Sequence, residues 1–149
     1  MRVDGYSRLS PSLLRIPEPL TNITFYLVCK NLDMCSSSLP KGSEVFVTNE
    51  LLVVKEWATE NHVKLKRYNS VEALFTAFNL SENSLLVLGA SEIIDNSSML
   101  SESTYRTIIS VPLYHYVHNK HKELVPLINN ALKQYKTTEQ YQALKHRYW

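Results

Sequence analysis

The alternation of apolar and polar positions becomes regular between residues 44 and 90. "EVFVT" (Glu44 to Thr48) and "VKLKRY" (Val63 to Tyr68) predict short strands, and the nearly unbroken apolar run "SLLVLGA" (Ser84 to Ala90) predicts a strand that is buried on both faces. The two intervening segments carry apolar residues at spacings of three and four, which indicates helices. The order β-α-β-α-β with short connections predicts a parallel sheet with right-handed crossovers.

Both helices of this region carry start signals. Asn49 is expected to cap the first helix, and the negative charge of Glu50 in its first turn would interact favourably with the helix dipole. At the second helix, Asn69 and Glu72 have the spacing of a capping box. The apolar faces comprise Leu51, Val54, Trp57 and Ala58 in the first helix, and Leu74, Phe75 and Phe78 in the second.

The flanking regions are less regular. Prolines punctuate the first twenty residues, and "NITFYLVCK" (Asn22 to Lys30) predicts a strand before a polar loop. A second polar connection covers residues 91 to 107, with a helical turn expected around Ser97 to Leu100. Residues Thr107 to His118 predict another strand, and two helices should follow, the second capped by Thr137 with Gln140.

Composition and charge exclude several classes of function. The 149-residue chain is 44% apolar and 20% charged, as one globular domain would be, and its net charge of +2 is spread too evenly for a nucleic-acid-binding face. Three glycines are too few for a glycine-rich phosphate loop. We expect no cofactor. The absence of a signal peptide and of a membrane span predicts a cytoplasmic protein if expressed as given, unless a leader has been removed.

The two cysteines, Cys29 and Cys35, have a spacing that fits no common zinc or redox pattern. Cys29 falls in a predicted strand, where burial would make a thiol inert. We therefore expect two free thiols, although a local disulfide would form in an oxidising compartment.

Three histidines, His115, His118 and His121, raise the question of a metal site. The surrounding "PLYHYVH" is rich in aromatic and β-branched residues, which favours an extended strand. Alternate side chains of a strand face opposite ways, so His115 and His118 could not share one ion, and His121 would open the next helix. We expect a strand-to-helix junction rather than a metal site. No G-x-S-x-G elbow occurs either, and we predict no enzyme activity.

Three stretches carry a resemblance to a known family: "RVDGYSRLSPSLLRIPEPL", "VKLKRYNSVEALFTAF" and the last 39 residues from "VPLYHYVH" onward. The chain resembles the extracellular solute-binding proteins of family 3, whose type 2 periplasmic-binding fold serves polar amino-acid uptake and sensing. The resemblance implies an α/β fold with one complete small lobe and part of the other. Residues 31–107 would form lobe two, and residues 1–30 with 108–149 a remnant of lobe one. The usual opening of lobe one has no counterpart, so the chain resembles a member truncated at its N-terminus.

The resemblance places a solute in a cleft between lobes, beyond the carboxyl ends of strands. The expected ligand-binding residues are Arg8, Thr48, Asn49, Glu50, Ser91 and Glu92. Free amides after the strand Glu44 to Thr48 favour an anionic group of the solute, although the negative charge of Glu50 would repel it. Ser91 and Glu92 would hold an amine of the solute. Arg8 would pair with its carboxylate. The family's ligand-binding Asp has no counterpart after Leu88, where Gly89, Ala90 and Ser91 stand.

The leading hypothesis is therefore non-catalytic binding of a small polar, amino-acid-like solute for uptake or sensing. One alternative is an interaction or sensor domain that has lost its ligand, and a remote one is a histidine-based metal enzyme. The resemblance implies a periplasmic location, a membrane permease or sensor as partner, and no nucleic acid. An incomplete lobe one would leave apolar surface uncovered, which predicts self-association.

Overall fold

The computed structural model describes residues 2–3, 10–36, 38–48 and 51–148. The chain forms two compact units, unit one from residues 1–23 and 110–149, and unit two from residues 24–109. No helix within these described ranges is both long and apolar enough to cross a membrane.

Unit two alternates strands and helices along most of its length. Its elements are β3 (Thr21–Cys29, entering from unit one), α1 (Leu32–Ser36), β4 (Glu44–Val47), α2 (Leu52–Glu60), β5 (Lys64–Arg67), α3 (Val71–Leu80), β6 (Leu85–Gly89), α4 (Ala90–Asp95), a 3₁₀ turn (Ser97–Leu100) and β7 (Thr104–Tyr114, continuing into unit one). The 3₁₀ turn was predicted. Helices α1 and α4 were wrongly expected to be polar connections, because elements of five and six residues are too short to show a helical period.

The sheet of unit two has the strand order β7-β3-β6-β4-β5. Strand β4 pairs in parallel with β5 on one side and β6 on the other, so the predicted parallel β-α-β-α-β unit is confirmed. Strand β3 joins β6 antiparallel, with Tyr26 opposite Leu88. Every residue of β6 is buried, as the unbroken apolar run predicts.

The core of unit two lies on the central strands. Leu74, Phe75 and Phe78 of α3 pack into one cluster with Val28 and Leu86 of the sheet. Burial of each such side chain stabilises the fold by about 1.5–3 kcal/mol. The buried residues of α2 are Val54, Trp57 and Ala58, whereas Leu51 precedes the helix and is nearly half exposed. The predicted apolar faces are thus confirmed except at Leu51.

Helix capping differs from the sequence prediction at three helices: by two residues at α2, whose N-cap residue is Leu51 and not Asn49, and by one residue at two others. Helix α3 is capped by Ser70, whose Oγ accepts from the amide of Ala73 at 3.1 Å, and Asn69 lies one residue too early. Thr138, not Thr137, accepts from the amide of Tyr141 at 3.3 Å. Serine caps as well as asparagine does, and both candidates at the last helix are threonines, so neighbouring candidates could not be ranked from sequence.

The two cysteines form a disulfide bond, Cys29–Cys35, which joins the end of β3 to α1. The expectation of two free thiols is therefore wrong, and the alternative of a local disulfide holds. Both residues are buried, and their α-carbons lie 5.7 Å apart. The turn that brings α1 back onto the sheet is what creates this proximity, and a spacing of five intervening residues does not reveal it.

Unit one is built from paired strand ends and two helices. It contains β1 (Arg2–Val3), β2 (Leu13–Arg15), β8 (Tyr116–His118), a 3₁₀ turn (Asn119–His121), α5 (Leu124–Tyr135) and α6 (Glu139–Tyr148). Strands β2 and β8 pair antiparallel, and β1 pairs with the end of β7. The strand predicted over Thr107 to His118 is divided at His115, and Pro126 falls in the first turn of α5, where proline is tolerated.

Polar contacts fasten the proline-rich segment of unit one to its helices. Lys136 Nζ lies 2.6 Å from Glu18 Oε1 and also donates to the carbonyl of Pro19. Tyr141 is a buried residue, and its hydroxyl donates to the carbonyl of Leu20 at 2.6 Å. These bonds satisfy the backbone carbonyls of Pro19 and Leu20.

Candidate functional site

The candidate site lies where β4 and β6 end. Because these strands are parallel neighbours, their carboxyl ends meet at one edge of the sheet. Thr48 follows directly on β4, and α4 begins at Ala90 directly after β6. The topology therefore brings Thr48 and the first turn of α4 together, although they are far apart in the sequence.

Glu92 is the centre of this site. Its Oε1 accepts a hydrogen bond from Thr48 Oγ1 at 3.0 Å, and its Oε2 accepts from the amide of Gly89 at 2.8 Å. Gly89 is the N-cap residue of α4 and Glu92 stands at the third helical position, so the second bond is the returning half of a capping box. Both Thr48 and Glu92 are partly buried. The carboxylate is thus fixed in position from two sides.

The chemistry of this carboxylate follows from its remaining lone pairs. An ionised carboxylate accepts hydrogen bonds only and offers about four acceptor positions. Two are used by Thr48 and Gly89, and the others suit a cationic donor such as an ammonium group. The free amides at which an anion is expected belong to the segment after β4, where Asn49 and Glu50 lie outside the described residues, so that expectation stays a prediction.

The six expected ligand-binding residues divide into three groups. Thr48 and Glu92 are brought into direct contact. Ser91 is exposed on the first turn of α4 and stands outside the Thr48–Glu92–Gly89 contacts. Arg8, Asn49 and Glu50 lie outside the described residues, so their roles stay predictions.

Gly89 is a residue of the site that the sequence analysis did not select. It contributes a backbone amide, which cannot be predicted from side-chain patterns. The sequence does contain one signal, because Glu92 stands three residues after Gly89, in capping-box spacing. A capping box is normally recognised by a side-chain oxygen at the cap position, and glycine has none.

The three histidines do not converge. His115 lies between β7 and β8, and burial lowers the pKa of its imidazole. His118 Nδ1 accepts from the amide of Lys120 at 3.2 Å, and His121 Nδ1 lies 3.8 Å from Glu123 Oε1. Within the part of the chain that the structure describes, no group of three histidine, cysteine, aspartate or glutamate side chains could hold a metal ion. The strand end predicted at His118 is confirmed, and α5 begins three residues after His121.

Several solved structures share this architecture. An ancestral amino acid-binding protein, a precursor of cyclohexadienyl dehydratase, matches 99% of this chain and 66% of its own with a TM-score of 0.73 and 17% identity. The chain has the type 2 periplasmic-binding fold. An ancestral arginine-binding protein bound to arginine matches all of the chain and 69% of its own, with a TM-score of 0.69 and 18% identity.

A third solved structure is the second substrate binding domain of a putative amino acid ABC transporter from Streptococcus pneumoniae. It matches 99% of the chain and 69% of its own length, with a TM-score of 0.60 and 18% identity. No protein-family model and no curated protein matches the chain. The chain spans about two thirds of the first of these structures. The resemblance to family 3 solute-binding proteins is therefore confirmed at the level of the type 2 periplasmic-binding fold.

Proposed function

We propose that the chain binds a small polar solute that carries a cationic amine, of the amino-acid class, without transforming it. The observation that carries this proposal is the fixed carboxylate of Glu92 at the carboxyl ends of β4 and β6. Ligands of open α/β sheets bind beyond the carboxyl ends of strands, and this carboxylate stands there. The solved structures named above support the same class of ligand, because they are amino-acid-binding proteins by name.

Other parts of the solute would meet residues that stay predictions. Arg8 would pair with a carboxylate, and Asn49, Glu50 and Ser91 would contact polar groups of the solute beside Thr48. We further propose that residues 31–107 act as lobe two, and residues 1–30 with 108–149 as part of lobe one.

The location and partner of the protein follow from the same proposal. A solute-binding protein of this fold would work in the periplasm and deliver its solute to a membrane permease or a sensor. The buried disulfide Cys29–Cys35 supports an oxidising compartment, because such bonds are rare in the reducing cytoplasm.

The decisive variant is Glu92→Gln. A glutamine can accept from the Gly89 amide with its oxygen and donate to Thr48 Oγ1 with its nitrogen, so both contacts and the helix cap survive. Only the negative charge is lost. Calorimetric titration with a panel of the twenty amino acids should find at least one that binds the wild type, and Glu92→Gln should weaken that binding by tenfold or more. The matched control is Glu56→Gln, which removes an exposed carboxylate from α2 and should leave binding unchanged.

A second candidate function is an interaction domain that has lost its solute. It is favoured by the fact that both oxygens of Glu92 already have partners within the chain. Under this alternative, no amino acid binds the wild type, so Glu92→Gln has no binding to weaken. Binding that persists unchanged in Glu92→Gln would refute the role proposed for this carboxylate.

Self-association is a further part of the proposal. Leu124 and Leu127 of α5 are exposed, the latter by 65%, and so is Leu144 of α6. Apolar side chains of this size on unit one favour contact with a second copy. Light scattering at micromolar concentration should give a dimer or larger mass, and Leu127→Lys should shift it toward the monomer. A monomeric wild type would contradict this part alone.

A further inference from the structure

The two units of the chain carry opposite net charges. With histidines counted as neutral, unit one contains nine Lys and Arg residues and four Asp and Glu residues, whereas unit two contains seven and ten. Their formal charges at pH 7 are therefore +5 and −3. The net charge of +2 for the whole chain conceals this difference, which favours contact between unit one of one copy and unit two of another.

The exposed apolar surface of unit one has lysines beside it. Leu124 and Leu127 lie one turn apart on α5 and are exposed by 38% and 65%. Lys120 and Lys122 precede them, in and directly after the 3₁₀ turn, and both are exposed. Neither ammonium group has a hydrogen bond or an ion pair with another described residue. These four residues form the basic face of unit one.

The positive charge around the basic face exceeds the negative charge. Between residues 116 and 148 the chain has six Lys and Arg residues and two acidic ones, Glu123 and Glu139. Glu123 stands next to the basic face in the sequence, and its Oε1 lies 3.8 Å from His121 Nδ1. Because charges of one sign sum to a common potential, this part of unit one attracts a surface of negative charge.

A surface of that kind lies at the end of α4 in unit two. Ile94 and Met99 are exposed by 50% and 51%, and Asp95 and Glu102 are exposed close to them in the sequence. Neither carboxylate has a hydrogen bond or an ion pair with another residue in the described part of the chain. No Lys or Arg occurs between residues 91 and 105. These four residues form the acidic face of unit two, which is apolar and negatively charged where the basic face is apolar and positively charged.

We propose that the basic face of one copy binds the acidic face of a second copy, so that the chain associates head to tail. The apolar side chains of the two faces pack against one another, and the lysines of one face lie beside the carboxylates of the other. This contact is one form of the self-association proposed above, on which it rests, and it specifies the surface that α5 meets. It does not depend on solute binding at Glu92, so either can fail alone.

A head-to-tail contact differs from a symmetric one in two measurable ways. It leaves a free face at each end of every assembly that does not close into a ring, so the mass in sedimentation velocity should rise beyond the dimer with protein concentration. A symmetric contact between two basic faces would stop at the dimer. Salt screens the attraction between opposite charges, so about 0.5 M NaCl should weaken the head-to-tail contact severalfold, whereas it would strengthen a contact between two basic faces.

The decisive test is a mixture of two variants, each defective in a different face. Leu127→Asp places a negative charge in the basic face, and the double variant Asp95→Lys with Glu102→Lys makes the acidic face positive. All three positions are exposed, so both variants should fold, which circular dichroism would verify. Each variant alone should be monomeric at micromolar concentration. An equimolar mixture should form a one-to-one dimer, because each variant supplies the intact face that the other lacks.

Two further variants serve as controls. Leu127→Lys keeps the sign of the basic face, so its association should be about fivefold tighter than that of Leu127→Asp, and Glu56→Lys, an exposed charge reversal on α2, should leave the wild-type mass unchanged. A mixture that stays monomeric, a double variant that associates as the wild type does, or equal association of the two Leu127 variants would overturn the head-to-tail contact alone. A monomeric wild type would overturn self-association as well.

Discussion

Reduction of the disulfide Cys29–Cys35 should destabilise unit two by an amount that the structure allows us to estimate. The two residues are six positions apart, so the bond closes a short loop. The loop-closure entropy that this removes from the unfolded chain corresponds to about 2 kcal/mol at 25 °C. Cys29 is fully buried and Cys35 is 2% exposed, so the reduced thiols stay packed as small apolar groups.

The measurement is urea unfolding followed by fluorescence. Trp57 on α2 is buried in unit two and reports its unfolding, provided that Trp149, the second tryptophan, is replaced by phenylalanine. With a urea dependence of about 1–2 kcal/mol/M for a unit of this size, a loss of ~2 kcal/mol lowers the midpoint by roughly 1–2 M.

A double variant, Cys29→Ala with Cys35→Ala, separates the crosslink from packing. Reduced wild type lacks only the bond, whereas the double variant also lacks both sulfur atoms and should lose roughly a further 1–2 kcal/mol through the small cavities left behind. Identical midpoints for oxidised and reduced wild type, with free thiols verified in the reduced sample by alkylation and mass spectrometry, would refute the reasoning.

Three smaller effects are expected in unit one. Tyr141→Phe removes the hydrogen bond to the Leu20 carbonyl and should cost about 1–2 kcal/mol of unfolding free energy, measured in urea against wild type. Lys136→Met breaks the partly buried contact with Glu18 and should cost about 1 kcal/mol, an effect that 1 M salt should reduce in the wild type. Burial lowers the pKa of His115, so the unfolded chain binds a proton more readily than the folded chain does. The unfolding free energy should therefore fall as the pH drops through about 6.5. In His115→Asn, this contribution to the pH dependence of the unfolding free energy between pH 7.5 and 5 should be lost.

The sequence predicted the regular part of the fold well, and the reason is physical. Strand β6 is apolar at every position and α3 carries Leu74, Phe75 and Phe78 on one face, so burial alone specifies both elements. Helices α1 and α4 escaped prediction because neither is long enough to show a period. Helix α1 is held by a disulfide bond to β3, and helix α4 by a capping box at its own N-terminus. Neither contact can be predicted from hydrophobic periodicity.

The candidate site was predicted in part. Thr48 and Glu92 could be named because each follows a predicted strand, and the ends of parallel strands meet at one edge. The bond between them depends on the order β6-β4, which a linear pattern does not specify. Gly89 was overlooked because it acts through its backbone amide. The disulfide was misjudged because six residues of separation allow either a bond or two distant thiols.

Glu92 serves as a helix cap, and this does not compete with the proposed contact to a solute. A carboxylate that bound only an amine would be free to rotate, and binding would have to restrict it. Here the Gly89 amide and the Thr48 hydroxyl hold one lone pair of each oxygen and have already fixed its orientation. Under the proposed function, an arriving ammonium group would meet an acceptor that needs no further ordering, which is how preorganisation increases affinity. The capping contacts would therefore determine where the solute's amine is held.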